Sequence, residues 1–217
     1  GFCQVHQDGC QKDGDQSITF YQGNIMIAII KYNAGNIQSV RNALNRFGCE
    51  NRVTDDPHEI LSADKVIIPG VGEASSAMQY LRSAELDRVI VSLKQPVLGI
   101  CLGLQLLCRF SDEGDTQCLG IFRSVVKRFP PLDKVPHMGW DNLDSANGEL
   151  FKDIEKDEDV YFVHSYFAEI TNETTAICNY IVPFSAAMHK DNFYATQFHP
   201  EKSAGTGVRI LKNFLDL

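Results

Sequence analysis

No uninterrupted apolar run in the 217-residue sequence reaches the ~18 residues that a membrane span requires. Positive charge is scarce: 20 Lys and Arg stand against 28 Asp and Glu, a formal net charge of -8. A non-specific nucleic-acid binder carries the opposite balance, so the composition argues against nucleic acid as a partner. The cysteines, Cys3, Cys10, Cys49, Cys101, Cys108, Cys118 and Cys178, form no CxxC pair and no regular spacing. That speaks against the disulfide framework of small secreted chains and points to reduced thiols in a cytoplasmic protein. Internal repeats and low-complexity segments are missing too. What is there is an ordinary globular share of 44% hydrophobic residues, which excludes wholesale disorder.

Residues 1–25 are rich in Gln, Gly and Asp, show no apolar periodicity and lack the regions of a signal peptide. They read as an N-terminal extension outside the natural domain, with residues 26–217 forming one domain. An alternative is a short edge strand through Ser17–Tyr21. From Met26 the pattern alternates. Apolar runs at Met26–Tyr32, Lys65–Pro69 and Pro96–Ile100, with a shorter one near Asn51–Thr54, predict buried strands. Helical spacing predicts helices over Asn36–Phe47 and Glu73–Leu93, and Asp55-Asp56-Pro57 marks another helix start. Further strands are expected at Val160–Phe167, Thr175–Tyr180 and Phe193–Phe198, then a closing helix over Thr206–Leu215. Such alternation means an α/β fold with a mixed, mostly parallel central sheet flanked by helices, flavodoxin-like in kind.

The chemistry concentrates at a strand-to-helix turn. Gly99-Ile100-Cys101-Leu102-Gly103 follows an apolar strand and opens a helical run to Phe110. Glycines on both sides of a cysteine describe a sharp elbow that holds a nucleophile exposed. The amides of the following helix favour a thiolate and point where an oxyanion forms. Taken alone, the pentapeptide also fits a buried cysteine at a tight turn. Gln197-Phe198-His199-Pro200-Glu201 shifts the balance, because residues two apart in an extended segment project to one side. A carboxylate beside an imidazole fixes its tautomer and supports its cation, so Cys101, His199 and Glu201 form a candidate nucleophile, base and orienter. Pro69-Gly70-Val71-Gly72 ends another strand and is a candidate oxyanion loop, at the end of the sheet where α/β ligands bind.

The elbow together with the distant Phe-His-Pro-Glu resembles the class I, triad-type glutamine amidotransferases. Other stretches resemble specifically the glutaminase subunits of imidazole glycerol phosphate synthases. These are Tyr32-Asn33-Ala34-Gly35-Asn36, Pro69-Gly70-Val71-Gly72, Val135-Pro136-His137-Met138-Gly139-Trp140, Tyr161-Phe162-Val163-His164-Ser165-Tyr166 and Gln197 to Ser203. The resemblance runs from Met26 to the C-terminus and implies the single-domain class I glutamine amidotransferase fold. It implies hydrolysis of glutamine to glutamate and ammonia, with Cys101 attacking the amide, His199 moving the proton and Glu201 orienting His199. The amides of Val71 and Leu102 would form the oxyanion hole; Gly70, Gln105, Ser165 and Tyr166 would hold the glutamine. Neither metal nor organic cofactor is implied.

The resemblance also implies a partner, a (β/α)8-barrel cyclase subunit that receives the ammonia and forms imidazole glycerol phosphate and aminoimidazole carboxamide ribotide in histidine biosynthesis. Asn36, His137, Met138, Trp140 and Lys202 are the candidate docking residues. Glutaminase activity would be low until the cyclase docks, and a flip of the Val71 peptide would be the switch. Two alternatives compete: the glutaminase of another synthase, such as anthranilate or aminodeoxychorismate synthase, and a non-catalytic scaffold of the same fold.

Overall fold

The computed structural model describes residues 25–32, 37–155 and 158–217. The N-terminal extension through residue 24, with its alternative edge strand, lies outside the described residues. The first half of the chain alternates as its pattern requires: β1 (Met26–Ile30), α1 (Ile37–Arg46), β2 (Glu50–Thr54), α2 (Pro57–Ser62), β3 (Lys65–Ile68), α3 (Ala74–Ser83), α4 (Leu86–Ser92), β4 (Val97–Ile100) and α5 (Leu102–Leu107). The second half is strand-rich: β5 (Phe110–Ser111), β6 (Thr116–Gln117), β7 (Val125–Arg128), β8 (His137–Asp141), β9 (Ser145–Ala146), β10 (Val160–His164), β11 (Tyr166–Ala168), β12 (Thr174–Asn179), β13 (Pro183–Lys190) and β14 (Phe193–Thr196). Helix α6 (Ala204–Leu215) closes the chain.

Eight strands make the central sheet in the order β2-β1-β3-β4-β14-β13-β12-β9. The strands from β2 to β14 run parallel, and β13, β12 and β9 add an antiparallel wing. Strand β1 shows why both faces are buried. Ile27 and Ile29 point into one apolar cluster with α1 and α6, while Ala28 and Ile30 point into the other with α3 and α4. Asp56 caps α2 by accepting from the His58 amide at 2.8 Å, ahead of Pro57, as the sequence predicts. The described cysteines, Cys49, Cys101, Cys108, Cys118 and Cys178, are all free and buried.

Three expected elements are divided or shortened. The helix expected over Glu73–Leu93 is two helices, because Glu85 adopts a left-handed conformation with φ 55° and turns the chain to bury Leu86 and Ile90. The helical run from Leu102 stops at Leu107, since Phe110 and Ser111 pair with β6 and β7. The strand expected over Val160–Phe167 breaks at Ser165: β10 pairs with β8 and β11 pairs with β7 in a separate sheet. That break carries Ser165 and Tyr166 to the mouth of the site described next.

Candidate active site

Cys101 occupies the turn between β4 and α5 with φ 52° and ψ −105°, a conformation that L-residues rarely adopt. Close approach makes the glycines obligatory: a Cβ on Gly103 would lie 2.0 Å from the Ile68 carbonyl oxygen, and one on Gly99 would lie 2.8 Å from the Gly103 carbonyl carbon. The Cys101 amide donates to the Thr196 carbonyl at 2.7 Å. The elbow is thus bonded to β14, the strand that delivers His199.

Three residues beyond β14 the chain enters a 3₁₀ turn, Pro200–Lys202, and His199 and Glu201 come together. His199 Nδ1 lies 2.8 Å from Glu201 Oε1, and both side chains are 1% exposed. The His199 amide donates to the Tyr161 carbonyl and Ser203 Oγ to the His199 carbonyl, at 2.9 and 2.7 Å, so the backbone under the ring is pinned. Nε2, the second ring nitrogen, is buried without a partner at full hydrogen-bond geometry, and the Cys101 sulfur is the group that acts on it. Burial disfavours the imidazolium, yet Cys101 and Glu201 together outweigh it and lift the His199 pKa to about 10.

Beside the elbow lies a cavity of about 320 Å³ whose walls include Val71, Cys101, Leu102, Gln105, Ser165 and Tyr166. These residues, scattered in sequence, line one cavity. Val71 and Gly72 form part of the wall, and the Gly70 carbonyl behind them accepts from the Leu102 amide at 3.3 Å. Glu113, which no motif singled out, also lines the cavity. Its carboxylate accepts from the Ala74 amide at 2.8 Å, and burial raises its pKa. It sits in the loop between β5 and β6, where the sequence shows only ordinary turn residues.

The profile of the family described as "Glutamine amidotransferase class-I" matches residues 28–217. The chain belongs to the class-I glutamine amidotransferases. This amidotransferase is 58% identical over 194 residues to the imidazole glycerol phosphate synthase subunit HisH of Bacteroides fragilis strain YCH46, covering 88% of this chain and 99% of that protein. With the subunit of the same name from Escherichia coli K12 it shares 45% identity over 194 residues, with the same coverage. Within the family it belongs with these subunits. Solved structures share its fold: a putative GMP synthase subunit from Thermoplasma acidophilum superposes with a TM-score of 0.69 at 19% identity, covering 89% of this chain and 94% of that one. PurLQS from Thermotoga maritima gives 0.63 at 15% identity, covering 89% and 99%.

Of the candidate docking residues of the amidotransferase, Asn36 lies outside the described residues. Met138 and Trp140 alternate along β8 onto one face and are 57% and 53% exposed. Lys202 is exposed, with Nζ 5.8 Å from the centre of the Tyr161 ring. His137 is a correction. It projects to the opposite face of β8 and is buried, its ring stacked on Tyr180 at 4.0 Å and on Phe162 at 4.7 Å. Its nitrogens face His164 Nε2 and Asp141 Oδ2, each at 3.2 Å. His137 supports β8 from beneath. Among the described residues no helix is long and apolar enough to cross a membrane, and no group of His, Cys, Asp and Glu is arranged to hold a metal ion.

Proposed function

We propose that Cys101, His199 and Glu201 carry out glutamine hydrolysis, the activity of the glutaminase subunit of imidazole glycerol phosphate synthase in histidine biosynthesis. The observation that carries this reading is the buried His199–Glu201 pair, 2.8 Å apart, set against a cysteine on a strained elbow. The Cys101 thiolate attacks the side-chain amide carbon of glutamine, forming a C–S bond while the carbonyl electrons move onto oxygen. The amides of Val71 and Leu102 hold that oxyanion. Its collapse breaks the C–N bond, and the His199 imidazolium gives its proton to the departing nitrogen, which leaves as ammonia. Water then attacks the thioester and passes a proton back to His199; cleavage of the C–S bond releases glutamate and restores the thiolate.

Gln105, Ser165 and Tyr166 line the space for the glutamine, and Glu113 offers its α-ammonium group a carboxylate. The ammonia passes to a (β/α)8-barrel cyclase subunit docked over Met138, Trp140 and Lys202. Free, buried thiols suit a cytoplasmic setting. The test is glutamate release from glutamine by the chain mixed with its cyclase subunit. Cys101→Ala should abolish it; full turnover in that variant would overturn the assignment.

A further inference from the structure

A second hydrogen-bonded path reaches the Cys101 sulfur without involving His199. Gln197, fully buried just beyond β14, points Nε2 at Cys101 Sγ from 3.6 Å. Its Oε1 accepts from Gln105 Nε2 at 3.0 Å, and the same Gln105 nitrogen donates to the Tyr166 carbonyl at 2.9 Å. A backbone carbonyl can only accept, so Tyr166 decides which end of the Gln105 amide is nitrogen. Gln105 then presents an N–H to Gln197, which must answer with its oxygen and turn its own N–H groups toward the sulfur. One carbonyl thereby sets the direction of both amides. The sulfur also lies 3.9 Å from the Val163 carbonyl, an acceptor that can bond only the thiol form.

We propose that Gln197 is a further catalytic residue, donating its side-chain N–H to Cys101 and holding the sulfur as thiolate, with Gln105 as the positioning residue that aims it. This rests on Cys101 being the nucleophile of glutamine hydrolysis. A thiol is a weak acceptor and a thiolate a strong one, so the bond strengthens on ionisation. Gln197 differs from His199 in one respect. The imidazolium spends its proton on the leaving ammonia, whereas the amide keeps its N–H through the cycle and meets the thiolate again when the thioester breaks. Gln105 meanwhile has both N–H groups engaged, which leaves its Oε1 as its only free contact for substrate.

The titratable groups around the sulfur are His199 and Glu201 on the turn after β14, Tyr32 beyond β1, His164 on β10 and Glu113 across the cavity. A change at Gln197 leaves all of them in place. The experiment is the rate of iodoacetamide labelling at Cys101, followed by peptide mass spectrometry across pH in the whole chain. Gln197→Met keeps the length and apolar stem but removes the donor. Labelling should fall about tenfold at neutral pH and recover in alkaline buffer, where the thiolate forms without help. Gln105→Leu leaves the sulfur's neighbours untouched and frees the Gln197 amide to turn, so it should give a smaller loss with the same alkaline recovery. Unchanged labelling in both variants, or a loss equal at every pH, would overturn the proposal. Labelling needs no glutamine, so a chain that labels as expected but hydrolyses none defeats the functional reading alone.

Discussion

The Leu102 amide donates to the Gly70 carbonyl at 3.3 Å, which puts an acceptor against a group that the proposed mechanism uses as a donor. Gly70 C=O and Val71 N–H belong to one peptide unit. Rotating that unit withdraws the carbonyl, frees the Leu102 amide and aims the Val71 amide into the cavity in a single motion. We predict that a partner stabilising the rotated form activates the enzyme by shifting a population. Loss of one oxyanion donor costs about 10²–10³ in kcat, so the docked cyclase should raise turnover by at least about 100-fold. Steady-state glutamate release with and without cyclase checks this, and equal rates would exclude the switch.

Glu201→Gln removes the anion behind His199 and keeps the shape of the side chain. The imidazolium loses its support inside a site where both partners are 1% exposed. A fall in kcat of about 10²–10⁴ is expected, the usual worth of a placed acid–base group. The circular dichroism spectrum should be unaltered, and a loss below tenfold would remove Glu201 from the triad.

Glu113→Gln tests the residue that sequence patterns missed. If its carboxylate holds the substrate ammonium, KM for glutamine should rise about tenfold or more, since a hydrogen bond to a charged group is worth ~1.5–3 kcal/mol. The value of kcat should move little. A fall in kcat with KM unchanged would place Glu113 elsewhere in the mechanism.

Two histidines give the stability curve opposite slopes. Burial, with help from His137 and His199, pushes the His164 pKa down from 6.5 to about 3. Its contribution is present above 6.5 and is lost as the pH falls toward 3, because the unfolded chain takes up the proton first. His199 behaves in reverse: raised from 6.5 to about 10, it contributes fully below 6.5 and loses that contribution as the pH climbs to 10. From these two groups stability peaks near 6.5. Thermal midpoints measured across pH should show His164→Gln flattening the acid limb and His199→Gln the alkaline one.

Much of this was readable from local chemistry. Asp56 and Pro57 announced a helix start because capping depends on neighbours in the chain, and the elbow was legible because only glycine tolerates its contacts. His199 and Glu201 were paired on the spacing of an extended segment, whereas they meet where the chain leaves β14 for a 3₁₀ turn. Other features depend on contacts that local pattern does not encode. Glu85 looks like any helical residue until the burial of Leu86 demands a turn. Strand β13, with Ser185, Ala186 and Ala187 in a row, has no alternation to reveal it, since both its faces are covered. His137 joined Met138 and Trp140 in one motif, although adjacent strand positions must face opposite ways.

The register of β14 on β4 sets Thr196 opposite Ile100, so the sulfur and the imidazole extend from two neighbouring strands of one ladder. Strand spacing of about 4.8 Å changes little in any sheet. Three residues of the cavity wall sit instead on separate connections: Val71 after β3, Glu113 between β5 and β6, and Ser165 between β10 and β11. The proposed nucleophile and its partner thus follow paired strands, whereas part of the cavity wall comes from loops, which tolerate change more readily. Redirecting this scaffold to another amide is a problem of loop design, and the pair of strands beneath can be kept whole.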